Sequence, residues 1–228
     1  MILAILRLSV KYQVDYLRKR ALAHLSLGYP QYLCHWDNRS EQATFSVLCD
    51  RHPLGNTLDR SLAVLEICFI VDAAWLLPAV MYECCSYDLR TIVEHPRWIQ
   101  SISTKVQNLL LIGYLKQVEA TRGQILKFLV AAPLGRCQRP GICSELRRSY
   151  AESTLSWFAN DPLGVWDEDS WIHLDDMCEL CMAVNRKMHR EARELFWNNL
   201  PDMFDLPKWG DLVDARDISL GTIGNLEY

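Results

Sequence analysis

Apolar residues near the start of the chain fall at Leu3, Leu6, Val10, Val14, Leu17, Ala21 and Leu25, in steps of three and four, while Arg7, Lys11, Arg18 and Arg20 lie mostly off that line. This is the spacing of an amphipathic helix, whose turn brings such positions onto one face. Asp15 can cap a helix beginning at Tyr16, and Gly28 with Pro30 beyond it can end that helix. The pattern therefore predicts a short helix, a bend near Tyr12 to Asp15, and a second helix. Met1 already stands inside the apolar pattern without a polar, capped entry, which leads us to expect further chain upstream.

From Tyr29 to Asn56 the chain turns polar, with turn signals at His52, Pro53, Gly55 and Asn56, and a long connection with little regular structure is expected. Helix resumes with Asn56 or Thr57 as cap and Leu58, Leu62, Leu65 and Phe69 on one face. After Trp75, Pro78 suits the first turn of another helix, with Val80, Met81, Cys84 and Cys85 directed inward. A helix pair follows over Ser103 to Val118 and Thr121 to Val130, carrying Val106, Leu109, Leu110, Ile125, Phe128 and Leu129, and ending before Pro133 and Gly135.

A cysteine-containing loop, Arg136 to Cys143, then precedes a helix over Glu145 to Phe158, stopped by Asn160, Asp161, Pro162 and Gly164. Asp167, Glu168 and Asp169 suit the positive N-terminal end of a last long helix, along which Leu174, Met177, Cys181, Val184, Met188, Ala192, Leu195 and Phe196 recur as far as Pro201. Phe204 to Trp209 should fold back on that helix, and the end of the chain should be loose. Few alternating β-type runs, no repeat of fixed period and no low-complexity tract are present. The expected fold is all-α, made of packed helix pairs, in segments 1–28, 29–56, 57–132, 133–216 and 217–228.

Composition narrows the function. Half of the 228 residues are hydrophobic and 23% are charged, enough to bury one sizeable core or two small ones. A net charge of -4 lacks the electrostatic footprint of a nucleic-acid binder, and the run Arg18, Lys19, Arg20 reads as the solvated side of a helix. The longest apolar stretch, Leu62 to Leu77, is broken by Glu66 and Asp72 and falls short of the roughly 20 residues that cross a bilayer, so it reads as a buried helix. Nine cysteines without a secretory signal pattern imply reduced thiols inside the cell, with nucleus and cytoplasm both open. The pair Cys84 and Cys85, with Cys34, Cys49 and Cys68, reads mostly as small apolar core residues.

The stretch Leu6-Arg-Leu-Ser-Val-Lys-Tyr-Gln-Val-Asp-Tyr-Leu-Arg-Lys-Arg-Ala resembles the helical end of a BTB/POZ domain in fungal BTB proteins. Trp75-Leu-Leu-Pro-Ala, the Cys137 and Cys143 pair, Trp166-Asp-Glu-Asp, Cys178-x-x-Cys181, Trp197-Asn-Asn-Leu-Pro and Leu206-Pro-Lys-Trp are similar, in order, to segments downstream of that domain. The resemblance implies the last two helices of a BTB domain followed by a helical partner-binding tail. The strands and helices that form the BTB dimer face are not in this chain, so dimerisation and adaptor roles in a ubiquitin ligase are not implied for it, and the oligomeric state stays open.

The sharpest chemical signal is a set of four cysteines. Cys137-x5-Cys143 stands in a turn-rich loop, and Cys178-x2-Cys181 has helical spacing that turns both sulfurs to one side. Zinc favours four thiolates in tetrahedral array, so the set could close a structural site; four ordinary core thiols are the alternative. His173 and His189 are reserve ligands. A redox role for Cys178-x-x-Cys181 is disfavoured because both cysteines are expected inside a long helix, away from the N-terminus that would activate one. No serine or cysteine nucleophile motif and no glycine-rich phosphate loop occurs, and the six histidines are scattered. The carboxylates Asp167, Glu168, Asp169, Asp175 and Asp176 read as helix-start capping and solvation. Trp36, Trp98, Trp166, Trp197 and Trp209 read as clamps of loops onto a helical core.

The sequence thus leads to a non-enzymatic protein that binds other proteins, with no nucleic acid or membrane partner. The alternatives are a helical module with a structural zinc site and a regulatory role, an enzyme with an unrecognised site, and a truncated product. The last would leave Ile2, Leu6 and Val10 on an exposed apolar patch.

Overall fold

The computed structural model of the protein describes residues 2–39, 57–131, 135–154 and 161–221, among which all regular structure is helical. The chain forms two compact units, one of Met1–Gly113 with Leu200–Tyr228 and the other of Tyr114–Asn199. No helix of the described residues is long and apolar enough to cross a membrane.

In the first unit, α1 (Ile2–Lys11) and α2 (Asp15–Gly28) form a hairpin. The bend is closed by the Tyr12 N–H on Leu8 O and the Val14 N–H on Ser9 O, both at 2.9 Å, and puts Gln13 at φ 53°. This reverses two expectations. Val14, not Asp15, holds the cap position, and Asp15 begins the helix, where it pairs with Lys19 at 3.0 Å. The bend also resets the helical phase, so Leu6, Ala21 and Leu25 are buried while Val10, Val14 and Leu17 are exposed. Since Leu6 is fully buried, Ile2, Leu6 and Val10 do not form one exposed patch.

The stretch expected to be irregular contains α3 (Leu33–Asp37), whose buried Trp36 meets Tyr82 edge-on at 5.3 Å with the Arg39 guanidinium 3.3 Å over its ring. The turn signals at His52 to Asn56, with Cys49, lie outside the described residues. In α4 (Thr57–Ile70), Leu58, Leu62 and Leu65 are buried as expected, but Phe69 is exposed and Ile67 and Cys68 take the inner positions. A 3-10 turn, Ala74–Leu76, leads into α5 (Leu77–Cys85), which has Pro78 in its first turn and every residue buried. Cys68, Cys84 and Cys85 are core thiols whose burial pushes their pKa up.

Glu83 is the one carboxylate on α5. It accepts from the Tyr29 hydroxyl at 2.9 Å and the Ser61 hydroxyl at 2.6 Å, with Arg60 at 3.4 Å. A buried charge survives only when paired and hydrogen-bonded, so these contacts bind α2, α4 and α5 together. Two short helices absent from the sequence reading follow, α6 (Leu89–Val93) and α7 (Pro96–Ser101). The Asp88 side chain caps α6, and Arg97 on α7 reaches Asp59 at 3.0 Å and Glu66 at 3.2 Å on α4. The first residues of α8 (Thr104–Ala120), with α13 (Trp209–Leu220) packed on α2, complete this unit.

The second unit takes the rest of α8, a π turn at Thr121–Ile125, and α9 (Lys127–Val130), which together replace the simple helix pair expected there. Then come α10 (Pro140–Thr154), α11 (Glu168–Trp171), a 3-10 turn at Ile172–Leu174, and α12 (Glu179–Met203) as far as Asn199. The expected end of α10 at Phe158 and Asn160 lies outside the described residues. The apolar pattern from Leu174 onward is not one helix, because the chain turns at Asp175 to Cys178 before α12 begins. Pro201 lies inside α12 and does not end it.

The inner face of α12 differs from the expected one. Cys181, Asn185, His189, Arg193, Phe196 and Trp197 are buried, whereas Leu195 is exposed and Val184 and Met188 are only half-buried. Its polar middle is accommodated locally. His189 is packed by Trp166 at 4.9 Å, Trp171 at 5.8 Å and Phe128 at 5.9 Å. Arg193 donates to the Leu163 carbonyl at 2.7 Å, and Trp171 Nε1 donates to Trp166 O at 3.2 Å. These contacts fasten the segment leading into α11 onto α12, in the manner of a tryptophan clamp.

Candidate metal centre

The turn before α12 decides where the second cysteine pair lies. Cys178 occupies the cap position: its carbonyl accepts the Met182 N–H at 3.0 Å, and the helix begins at Glu179. Cys181 is therefore in the first turn, and the expectation that both cysteines sit deep inside a longer helix is corrected. On the other side, α10 begins at Pro140 and not at Glu145. Cys143 is thus in a first helical turn, where its N–H bonds to Arg139 O at 2.9 Å, while Cys137 stays in the preceding loop. Each pair straddles or abuts a helix start.

The four sulfurs converge. The Sγ atoms of Cys137, Cys143, Cys178 and Cys181 all lie within 4.8 Å of one another. Cys137 and Cys178 are 3.8 Å apart and Cys137 and Cys181 are 3.4 Å apart. A disulfide requires about 2.05 Å, and all four are free thiols. Tetrahedral thiolates at the usual zinc–sulfur distance stand about 3.8 Å from each other, so the observed spacing suits a bound ion. Three of the four are buried and Cys137 is half-buried. The cluster could hold a metal ion.

Local hydrogen bonds favour the ionised form of one ligand. The backbone N–H of Cys181, together with that of Gln138, holds the Cys178 thiol down at about 6. This is the capping geometry of a helix N-terminus, with sulfur in place of the usual oxygen. Cys143 Sγ accepts the Cys178 N–H at 3.4 Å, although burial still pushes its thiol up. Burial likewise raises Cys181. A helix terminus acting on one thiol is a feature the sequence reading had denied to the Cys178-x-x-Cys181 pair. Two further cysteines, however, crowd the same sulfurs, as a four-ligand site requires and a two-cysteine redox motif does not.

Neither reserve histidine joins the cluster. His173 is exposed and stacks on Tyr150 at 5.4 Å, and His189 is among the tryptophans, where burial and then the Arg193 charge lower its pKa to about 4. Asp167 caps α11, accepting the Ser170 N–H at 2.8 Å, and Glu168 forms a bidentate pair with Arg186, both bonds 2.7 Å. The Ser170 hydroxyl, which also donates to Asp167 at 2.8 Å, and then the Ser170 N–H lower the pKa of Asp167, and the Arg186 pair lowers that of Glu168. Of the acidic residues singled out in the sequence, these two serve helix ends and α12.

No known family, curated protein or solved structure matches the chain. The likeness to fungal BTB proteins accordingly rests on the sequence segments quoted above.

Proposed function

We propose that this protein is a non-enzymatic helical scaffold for contacts with other proteins, one unit of which is organised around a structural zinc ion on Cys137, Cys143, Cys178 and Cys181. The convergence of four thiols within 4.8 Å carries the metal part of the reading. Four protein ligands fill a tetrahedral ion and leave no position for water or substrate, which is the arrangement of structural zinc. Zinc is favoured among metals because an all-sulfur, four-coordinate set suits its softness and geometry. A reducing compartment would keep the thiols available.

The magnitude points to a unit that is much less stable without the metal. Structural zinc binds small domains with about 10–16 kcal/mol, comparable with the whole stability of a domain, about 5–15 kcal/mol. The ion would join the loop at Cys137 and the adjoining first turn of α10 to the start of α12, which is distant from them in sequence. For protein contact, the support is the exposed apolar set Leu8, Tyr12, Val14, Tyr16 and Leu17 on the α1–α2 hairpin, together with the BTB-like sequence of those helices.

Elemental analysis of the purified full chain tests the metal. One zinc per chain is expected, cobalt substitution should give the absorption of a tetrahedral thiolate site, and chelator should lower the melting temperature. A chain that takes up no zinc, and whose helicity and melting are the same with chelator as with added zinc, refutes the centre. A partner captured equally well after charge substitution of Leu8 and Tyr16 would refute the assignment of the contact face.

A further inference from the structure

Arg147 lies on α10 one turn beyond Cys143 and is 3% exposed. Its Nε donates to the Cys143 carbonyl at 3.3 Å, while Nη2 is buried without a hydrogen-bond partner. Its neighbour Arg148 takes the carboxylates of this helix, Glu145 at 2.6 Å and Glu152 at 3.3 Å. No ion pair of Arg147 exists among the described residues. Ser144, next to Cys143, also has a buried hydroxyl without a partner. An arginine keeps its charge at any ordinary pH, and a buried charge without a counter-charge is strongly unfavourable.

We infer that Arg147 is the buried counter-cation of the metal–thiolate centre, a positioning residue that steadies the bound state through Cys143. The inference rests on the zinc reading. Four thiolates around a divalent ion carry two net negative charges, which the same interior must hold. A fixed guanidinium against the backbone of one ligand offsets part of that charge, in a surrounding where attraction is stronger than in water. The two groups are mutually stabilising when metal is bound, and Arg147 has only the single thiolate charge of Cys178 to offset it when it is not. One side chain therefore favours the loaded state twice, by strengthening binding and by destabilising the empty unit.

Arg147→Met keeps much of the volume and removes the charge, and Arg147→Lys keeps the charge. Zinc affinity of the full chain is measured by competition with a chromophoric chelator, and melting is measured separately in excess chelator with reductant. The methionine variant should bind zinc about tenfold more weakly, yet melt higher than the parent when empty, and the lysine variant should recover most of the affinity. In a Cys137→His background, where the centre carries one net negative charge, the loss caused by Arg147→Met should shrink. A purely packing role predicts that the loaded and empty proteins are weakened together and that the centre's charge is irrelevant. Either result, or unchanged affinity in Arg147→Met, overturns the inference while leaving the zinc site standing. Absence of zinc from the parent protein overturns both.

Discussion

Gly113 on α8 has no room for a side chain. A Cβ built there would run into Cε1 and Cδ1 of Phe204, whose ring is fully buried. To restore ordinary carbon contacts the ring would have to retreat by about 1.5 Å, and a close-packed interior offers it nowhere to go. Overpacking of this size costs about 3 kcal/mol, the upper part of the usual range. Alanine gains about 1 kcal/mol over glycine inside a helix, so Gly113→Ala should destabilise the protein by about 2 kcal/mol net. With a urea dependence of about 2 kcal/mol per molar, the unfolding midpoint would fall by about 1 M. Trimming the ring isolates the cause. In a Phe204→Val background the clash is gone and only the helix preference remains, so the same Gly113→Ala change should become stabilising. Urea titrations of the four proteins, followed by circular dichroism, give the coupling directly. The reasoning is refuted if Gly113→Ala has the same effect in both backgrounds, or is neutral in the parent.

Two further perturbations probe the buried polar groups. Glu83→Gln keeps the shape but removes the charge that faces Arg60 and accepts from Tyr29 and Ser61. It should cost about 3 kcal/mol, as expected when one member of a buried pair is lost, and a loss below about 1 kcal/mol in thermal unfolding would contradict the role given to this carboxylate. His189 has a folded pKa of about 4 against an ordinary 6.5, burial being the larger cause and Arg193 the smaller. The unfolded chain therefore takes up the proton first, so this contribution is intact above pH 6.5 and is lost as pH falls towards 4. The full difference is worth up to about 3 kcal/mol. His189→Phe should flatten the acid side of the stability profile relative to the parent, and identical profiles would refute the assignment.

Some of the candidate site was legible because its determinants are local. Cysteine identity and spacing nominated Cys137, Cys143, Cys178 and Cys181, and proline chemistry put Pro78 in the first turn of its helix. Other features were hidden because apolar periodicity ran straight through them. The pattern from Leu174 to Cys181 continues across the turn that makes Cys178 a cap, and nothing nearby in sequence announces the break. Arg147 and Arg148 are adjacent and chemically identical in the sequence, yet one of the two is buried and the other is exposed.

The sequence by itself determined that the chain is helical, where several helices stop, and which four sulfurs were candidates for a shared site, since propensity, capping and spacing act within a few residues. Tertiary structure decided which face of each helix turns inward. Asn185, His189 and Arg193 are buried on α12 while Leu195 is exposed, and Phe69 is exposed beside buried Cys68. A helix presents adjacent faces of similar apolar content, and the choice between them is made by groups far along the chain, such as Trp166 for His189 and the Leu163 carbonyl for Arg193. The convergence of two cysteine pairs from separate helix starts is of the same kind, because it depends on how α10 and α12 pack and not on either pair alone.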